Sequence, residues 1–129
     1  MPLHRIEIGL VSTTPALADY YATVFELEAL PALESSSGTV HRLQGPGAVL
    51  KVMVPKQPPA PATPVDPFIA ATGLRYLTLA VTDLDATLER VKANNGTVQL
   101  GPLDLAPGLR IALTHDPDGN TVELVHEPA

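Results

Sequence analysis

Residues 114–125 read THDPDGNTVELV, and they contain the carboxylate best placed to do chemistry. Pro117 fixes φ at the first bend and Gly119 accepts a positive φ. The Asp and Asn side chains can bond their own backbone, so Asp116 through Asn120 spells a tight turn. Beyond it Val122 and Leu124 alternate with Glu123, which puts the carboxylate on the face opposite those apolar side chains. A carboxylate held over a cavity by a hydrophobic sheet has three roles open to it: general base, metal ligand or ion-pair partner. Other metal donors are sparse. The four histidines, His4, His41, His115 and His126, form no HxH or HxxxH pair, so spacing gives no metal cluster. His115 beside Asp116 reads as a turn residue and His126 as an exposed terminal one. His41 sits on an expected strand of unfixed register and is a candidate to line the cavity. There is no cysteine, which removes disulfides, thiol nucleophiles and thiolate metal sites. No Gly-rich phosphate loop and no GxSxG element occurs.

The elements that must position Glu123 follow from periodicity. In residues 3–11, Ile6, Ile8 and Leu10 alternate with Arg5, Glu7 and Gly9, the pattern of a strand. Thr14 and Pro15 open a helix in which Leu17, Tyr20 or Tyr21, and Val24 recur at helical spacing, ending near Glu26. Residues 27–34 read as a short irregular strand that Pro31 consigns to an edge or a bulge. Residues 39–43 and 48–54 are strands joined by a turn at Gly45-Pro46-Gly47. Six prolines between Pro55 and Pro67 break all periodicity, so residues 56–67 are expected to form an extended, polyproline-like tether. The pattern then restarts. Leu77, Leu79 and Val81 alternate with Tyr76, Thr78 and Ala80 over residues 74–81. Asp83 caps a helix carrying Leu84, Leu88 and Val91, which Asn94-Asn95-Gly96 terminates. Residues 97–100, 109–115 and 121–125 are expected strands, with a loop over 101–108.

Each half thus reads strand, helix, then three strands. The separation from Glu7 to Lys51 nearly equals that from Thr78 to Glu123, and Arg5 to Lys51 nearly equals Tyr76 to Glu123. One such half leaves a sheet face unburied, so two should pack together. The expected organisation is one domain: module one at 3–54, a Pro-rich linker at 55–73, and module two at 74–127.

Composition narrows the function classes. The chain has 129 residues and is 45% hydrophobic, enough for a folded core. A net charge of −6 argues against nucleic acid, which needs a basic face. Aromatic residues are only 4%, too few for a base-stacking platform. No apolar run reaches the roughly 18 residues of a membrane span, and MPLHRIEIGL lacks a signal-peptide pattern. A cytoplasmic protein with a small-molecule partner is the expectation.

A doubled βαβββ unit with a DPDGNxxEL-type turn resembles the vicinal oxygen chelate superfamily, the group of glyoxalase I, ring-cleaving dioxygenases and bleomycin-resistance proteins. VTDLDATLERVKANNG and THDPDGNTVELV are similar to the family's second module; YYATVF and LKVMVPKQPP are similar to parts of its first. The resemblance implies an α+β fold of two βαβββ modules forming half-open mixed β-sheet barrels. In metal-dependent members, two strands of each module offer His or Glu to one divalent ion. By that resemblance Glu123 matches a ligand position. Tyr76 stands where His is common, Lys51 where an acid is expected, and Arg5 at the first-strand position, or Ile6 or His4 if the register is offset by one. Lys and Arg have no free lone pair and bring positive charge to a cation site, so the resemblance implies a lost metal site and no cofactor. Arg5 and Lys51 are then expected to neutralise Glu123 or to bind an anionic substrate group. Glu123 and Tyr76 become the catalytic candidates, and Arg5, Glu7, Lys51, Thr78 and His41 the ligand-binding ones. Three functions follow. One is a metal-independent protein holding a small organic ligand in the cavity between modules. Another is an acid–base isomerase or lyase using Glu123. The third is a metal-dependent glyoxalase- or dioxygenase-type enzyme. Family resemblance also implies a homodimer.

Overall fold

Both helices begin where the chain supplies an oxygen acceptor for an orphan N–H. In the computed structural model, which describes residues 2–63 and 65–129, α1 spans Ala16–Phe25. Thr14 Oγ1 accepts from the Ala16 N–H at 3.2 Å, and Glu26 ends the helix in the left-handed region at φ 54°. α2 spans Leu84–Ala93, and the Asp83 carboxylate accepts from the Ala86 N–H at 3.0 Å. Asn95 then takes a positive φ of 69°, the termination expected of an Asn-Asn-Gly run.

The described residues divide into two units between Pro61 and Ala62. The first holds β1 (Ile6–Val11), α1, β2 (Glu28–Glu34), β3 (Gly38–Gly45) and β4 (Ala48–Pro55). The second holds β5 (Tyr76–Val81), α2, β6 (Thr97–Ala106), β7 (Leu109–His115) and β8 (Thr121–His126), preceded by a single 3-10 turn at Phe68–Ala70. Each unit is βαβββ with a four-stranded mixed sheet, ordered β1-β4-β3-β2 and β5-β8-β7-β6. In each, the first strand runs parallel to the last and the other pairs are antiparallel. Neither sheet closes on itself, so the fold is α+β with half-open sheets. Pro64, within the expected tether, lies outside the described residues. No helix among the described residues is long and apolar enough to cross a membrane.

Each helix covers one face of its own sheet. Leu17, Tyr21 and Val24 of α1 are buried, as are Leu43, Leu50 and Val52 of β3 and β4. Leu84, Leu88 and Val91 of α2 are buried together with Ala112, Val122 and Leu124. Burial of one such Val or Leu contributes roughly 1.5–3 kcal/mol. Alternate residues on the same strands point to the opposite, open face, and the candidate functional groups other than His41 lie there.

Two prolines test the strand assignments. Pro31 lies on β2, an edge strand whose pairing with β3 shifts register between Leu30 and Leu33, as an edge proline requires. Pro102 does not end β6. The strand runs on to Ala106 where a loop over 101–108 was expected, and it absorbs Gly101-Pro102 as a register shift between Leu100 and Leu103. Gly101 makes this fit: its φ is +92°, and a Cβ there would lie 2.9 Å from the Ile111 carbonyl oxygen. A bulge at a glycine accommodates a proline that regular pairing would reject.

Candidate functional site

The turn after β7 is organised by one buried side chain. Asp116 is 3% exposed. Its Oδ1 accepts from the backbone N–H groups of Asp118 and Asn120, both at 2.9 Å, and its Oδ2 accepts from Asn120 Nδ2 at 2.8 Å. Gly119 supplies the positive φ of 88°. The turn delivers β8 in a register that pairs Thr78 with Glu123 and Glu123 with Leu113.

Paired residues on neighbouring strands share a face, so the open face of the second unit can be read row by row. One row is Tyr76, Thr121, His115 and Thr97. The next is Thr78, Glu123, Leu113 and Leu100. Thr78 Oγ1 donates to Glu123 Oε1 at 2.9 Å, which fixes one carboxylate oxygen. Within this unit Glu123 has no cationic partner among the described residues. Tyr76 is half-exposed, and Phe68 of the 3-10 turn packs edge-on against its ring at a centroid distance of 4.9 Å.

The open face of the first unit carries charge instead. Arg5 Nε donates to Glu7 Oε2, and Lys51 Nζ lies 3.4 Å from Glu7 Oε1. The hydrogen bond from Arg5 holds the Glu7 carboxyl below its usual range, with Lys51 adding to the effect and partial burial opposing it. The sequence expectation gave Glu123 as the partner of Arg5 and Lys51; the carboxylate both cations meet within their own unit is Glu7. Register explains the difference. Lys51 pairs directly with Gly9 on β1, whereas Glu123 pairs directly with Thr78 on β5. If Lys51 and Glu123 are equivalent, then Glu7 holds the place of Tyr76, and Arg5 lies one pleat further out. Equal spacing along the chain misses this two-residue displacement.

His41 is placed away from this group. It pairs with Val52, which is wholly buried, so His41 shares the helix-covered face and not the face of Lys51. His126 also belongs to the helix side, where its Nδ1 accepts from the Leu84 N–H at 3.3 Å. Sequence reasoning missed His115, which shares the open face with Glu123. It missed Phe68 as the brace of Tyr76. It also missed Arg42, the direct partner of Lys51 on β3. Strand alternation counted back from Glu123 along a hairpin would have revealed His115. A groove of about 410 Å3 between α2 and β6 is lined by Leu88, Val98 and Pro102 among others. It lies on the helix side, away from Glu123, and its charged groups are already paired as Asp85–Arg110 and Glu89–Lys92, both at 3.0 Å.

The donor sets do not fit a divalent metal in either unit. The first offers one carboxylate with an ammonium beside it; the second offers one carboxylate beside a hydroxyl and a phenol, with a single imidazole, His115, in the next row of the same face. Neither unit by itself gathers three His, Asp or Glu side chains among the described residues, and three protein ligands are the usual minimum for a catalytic zinc-type centre.

Two βαβββ units, each with a parallel first-to-last strand pairing and an open face, define the class of fold. A family model described as the Glyoxalase/Bleomycin resistance protein/Dioxygenase superfamily matches residues 6–124, and the chain belongs to that superfamily. Its fold is similar to that of a glyoxalase family protein from Enterococcus faecalis, with 22% identity, 96% of each chain covered and a TM-score of 0.71. It is also similar to a glyoxalase family protein from Bacillus cereus, at 13% identity, covering 100% of this chain and 97% of that one, with a TM-score of 0.84. A glyoxalase I variant from Zea mays matches at 19% identity and a TM-score of 0.76, covering 98% of this chain and 46% of the maize chain. No curated protein matches the chain in sequence.

Proposed function

We propose that this chain is a metal-independent member of the superfamily that binds a small organic molecule on its open sheet faces. The observation that carries the reading is Glu123. Its carboxylate is steadied by Thr78, has no cation beside it among the described residues of its unit, and shares its face with Leu113, Leu100 and Val125. Such a group is completed by a ligand that brings a donor or a positive charge, with an apolar body against the leucines. Tyr76, braced by Phe68, supplies an aromatic wall.

The test is ligand screening by thermal shift in the presence of EDTA, using small primary amines and amidines. Saturable stabilisation that survives EDTA and is lost in Glu123→Gln is the expected result. Retention of one Ni²⁺, Mn²⁺, Zn²⁺ or Fe²⁺ per chain after desalting would overturn the metal-independent reading. A second reading has an observation of its own: with one oxygen held by Thr78, the other oxygen of Glu123 is free to act as a general base. An isomerase or lyase of this kind would lose turnover in Glu123→Gln while keeping its fold and its ligand. The homodimer belongs to the same proposal and is checked by sedimentation equilibrium.

A further inference from the structure

The open face of the first unit concentrates positive charge in a chain that has little of it. The sequence has 8 Lys and Arg against 14 Asp and Glu; Lys51 and Arg42 stand on this one face, and Arg5 joins them through Glu7. Lys51 and Arg42 are direct cross-strand partners. Like charges so placed have Cβ atoms about 5 Å apart and destabilise a sheet unless something neutralises them. The acids of this face do so only in part: Arg42 has no carboxylate partner among the described residues, and Lys51 has only a share of one. Glu7 is shared between Arg5 and Lys51, and Glu28 pairs with Gln44 at the outer strand.

Arg42 is also held in place. Its Nε and one terminal nitrogen donate to the Pro31 carbonyl at 3.2 and 2.9 Å. That carbonyl lies in the β2 register shift. The remaining N–H donors of the guanidinium have no protein partner among the described residues. Glu7 on β1 holds Lys51, while Pro31 on β2 holds Arg42, so each cation is anchored toward its own outer strand. Both cations are thus tethered before any ligand arrives, which lowers the entropy cost of binding.

We propose that Lys51 and Arg42 form an oxyanion site on this face, taking the phosphate or carboxylate group of a small molecule, with Arg5 at its margin. An anion bound over this strand pair accepts a charge-assisted hydrogen bond from each cation and offsets the charge of both. The site does not depend on Glu123 and stands whether or not the reading of the second unit holds.

The experiment is an NMR titration of the full chain, recording backbone and arginine side-chain N–H signals. The probes are inorganic phosphate and acetate, with sodium chloride holding ionic strength constant. Saturable shifts centred on residues 40–44 and 49–53 are expected. Lys51→Gln and Arg42→Gln should each weaken binding about tenfold or more, since each removes a charge-assisted bond. Lys56→Gln should leave it unchanged. Saturation by phosphate alone supports the site and assigns it to phosphates; saturation by acetate as well supports it and extends it to carboxylates. Shifts that grow without saturating overturn the proposal, as does saturation untouched by either substitution. Signal dispersion shows whether each variant is folded, and two separate positions keep the test decisive if one is not.

Discussion

Replacing Asp116 with Ala removes the acceptor of three hydrogen bonds at once. The Asp118 and Asn120 N–H groups lose their partner, and so does the Asn120 amide. A hydrogen bond to a charged group contributes about 1.5–3 kcal/mol. Three that share one side chain do not add in full, and a loss of about 3–5 kcal/mol is expected for Asp116→Ala. Asp116→Asn discriminates the mechanism. It keeps an oxygen for the two backbone N–H groups but sets an NH2 against the Asn120 NH2, so it should cost about 1–3 kcal/mol, one bond's worth. Urea unfolding followed by far-UV circular dichroism measures both, with unchanged m-values indicating that only stability moved. A cost under about 1 kcal/mol for Asp116→Ala would refute the reasoning, because a buried carboxylate with three donors cannot be that cheap to lose. Equal costs for the two variants would also refute it, since they would show that charge and not bonding geometry organises the turn.

Three further outcomes are expected. The Glu7 carboxyl is held below its ordinary value of 4.5, so its contribution to stability is full above that value and disappears as pH falls through the folded-state pKa. Urea midpoints of the parent and Glu7→Gln should therefore differ by a constant amount near neutral pH and converge in acid. Gly101→Ala meets both a positive φ and the Ile111 carbonyl and should cost about 1–3 kcal/mol by the same unfolding assay. Asp83→Ala removes the α2 cap and should cost about 1 kcal/mol, with amide exchange accelerating first at Ala86.

Local chemistry made much of this fold legible. Asp83 and the Asn-Asn-Gly run specify their helix ends through groups a few residues apart, and the alternation of Leu77, Leu79 and Val81 specifies a strand without reference to anything distant. What depends on pairing between strands was harder to read. Lys51 was recognised as a site candidate, but its partner is set by how β1 slides along β4, and no single strand records that. His41 lies on a strand with an apolar residue on each face, Val40 on one and Leu43 on the other, so its face is readable only through its pairing with Val52. Arg42 went unnoticed for the same reason. Residues 101–108 looked like a loop because Gly-Pro is a turn signal in isolation; the strand absorbs it as a bulge, and that possibility lies in the partner strand β7.

The engagement of Pro31 by Arg42 has a consequence for how the protein behaves when crowded. An exposed outer strand is a template on which another chain can add itself and begin a fibril. In the middle of β2, Pro31 supplies no N–H and its carbonyl is occupied by a guanidinium. An incoming strand finds neither donor nor free acceptor there, and it also meets the irregularity between Leu30 and Leu33. This side of the first unit is a poor seed for cross-β growth, so the residue that tethers one half of the proposed oxyanion site also protects the sheet from self-propagating assembly.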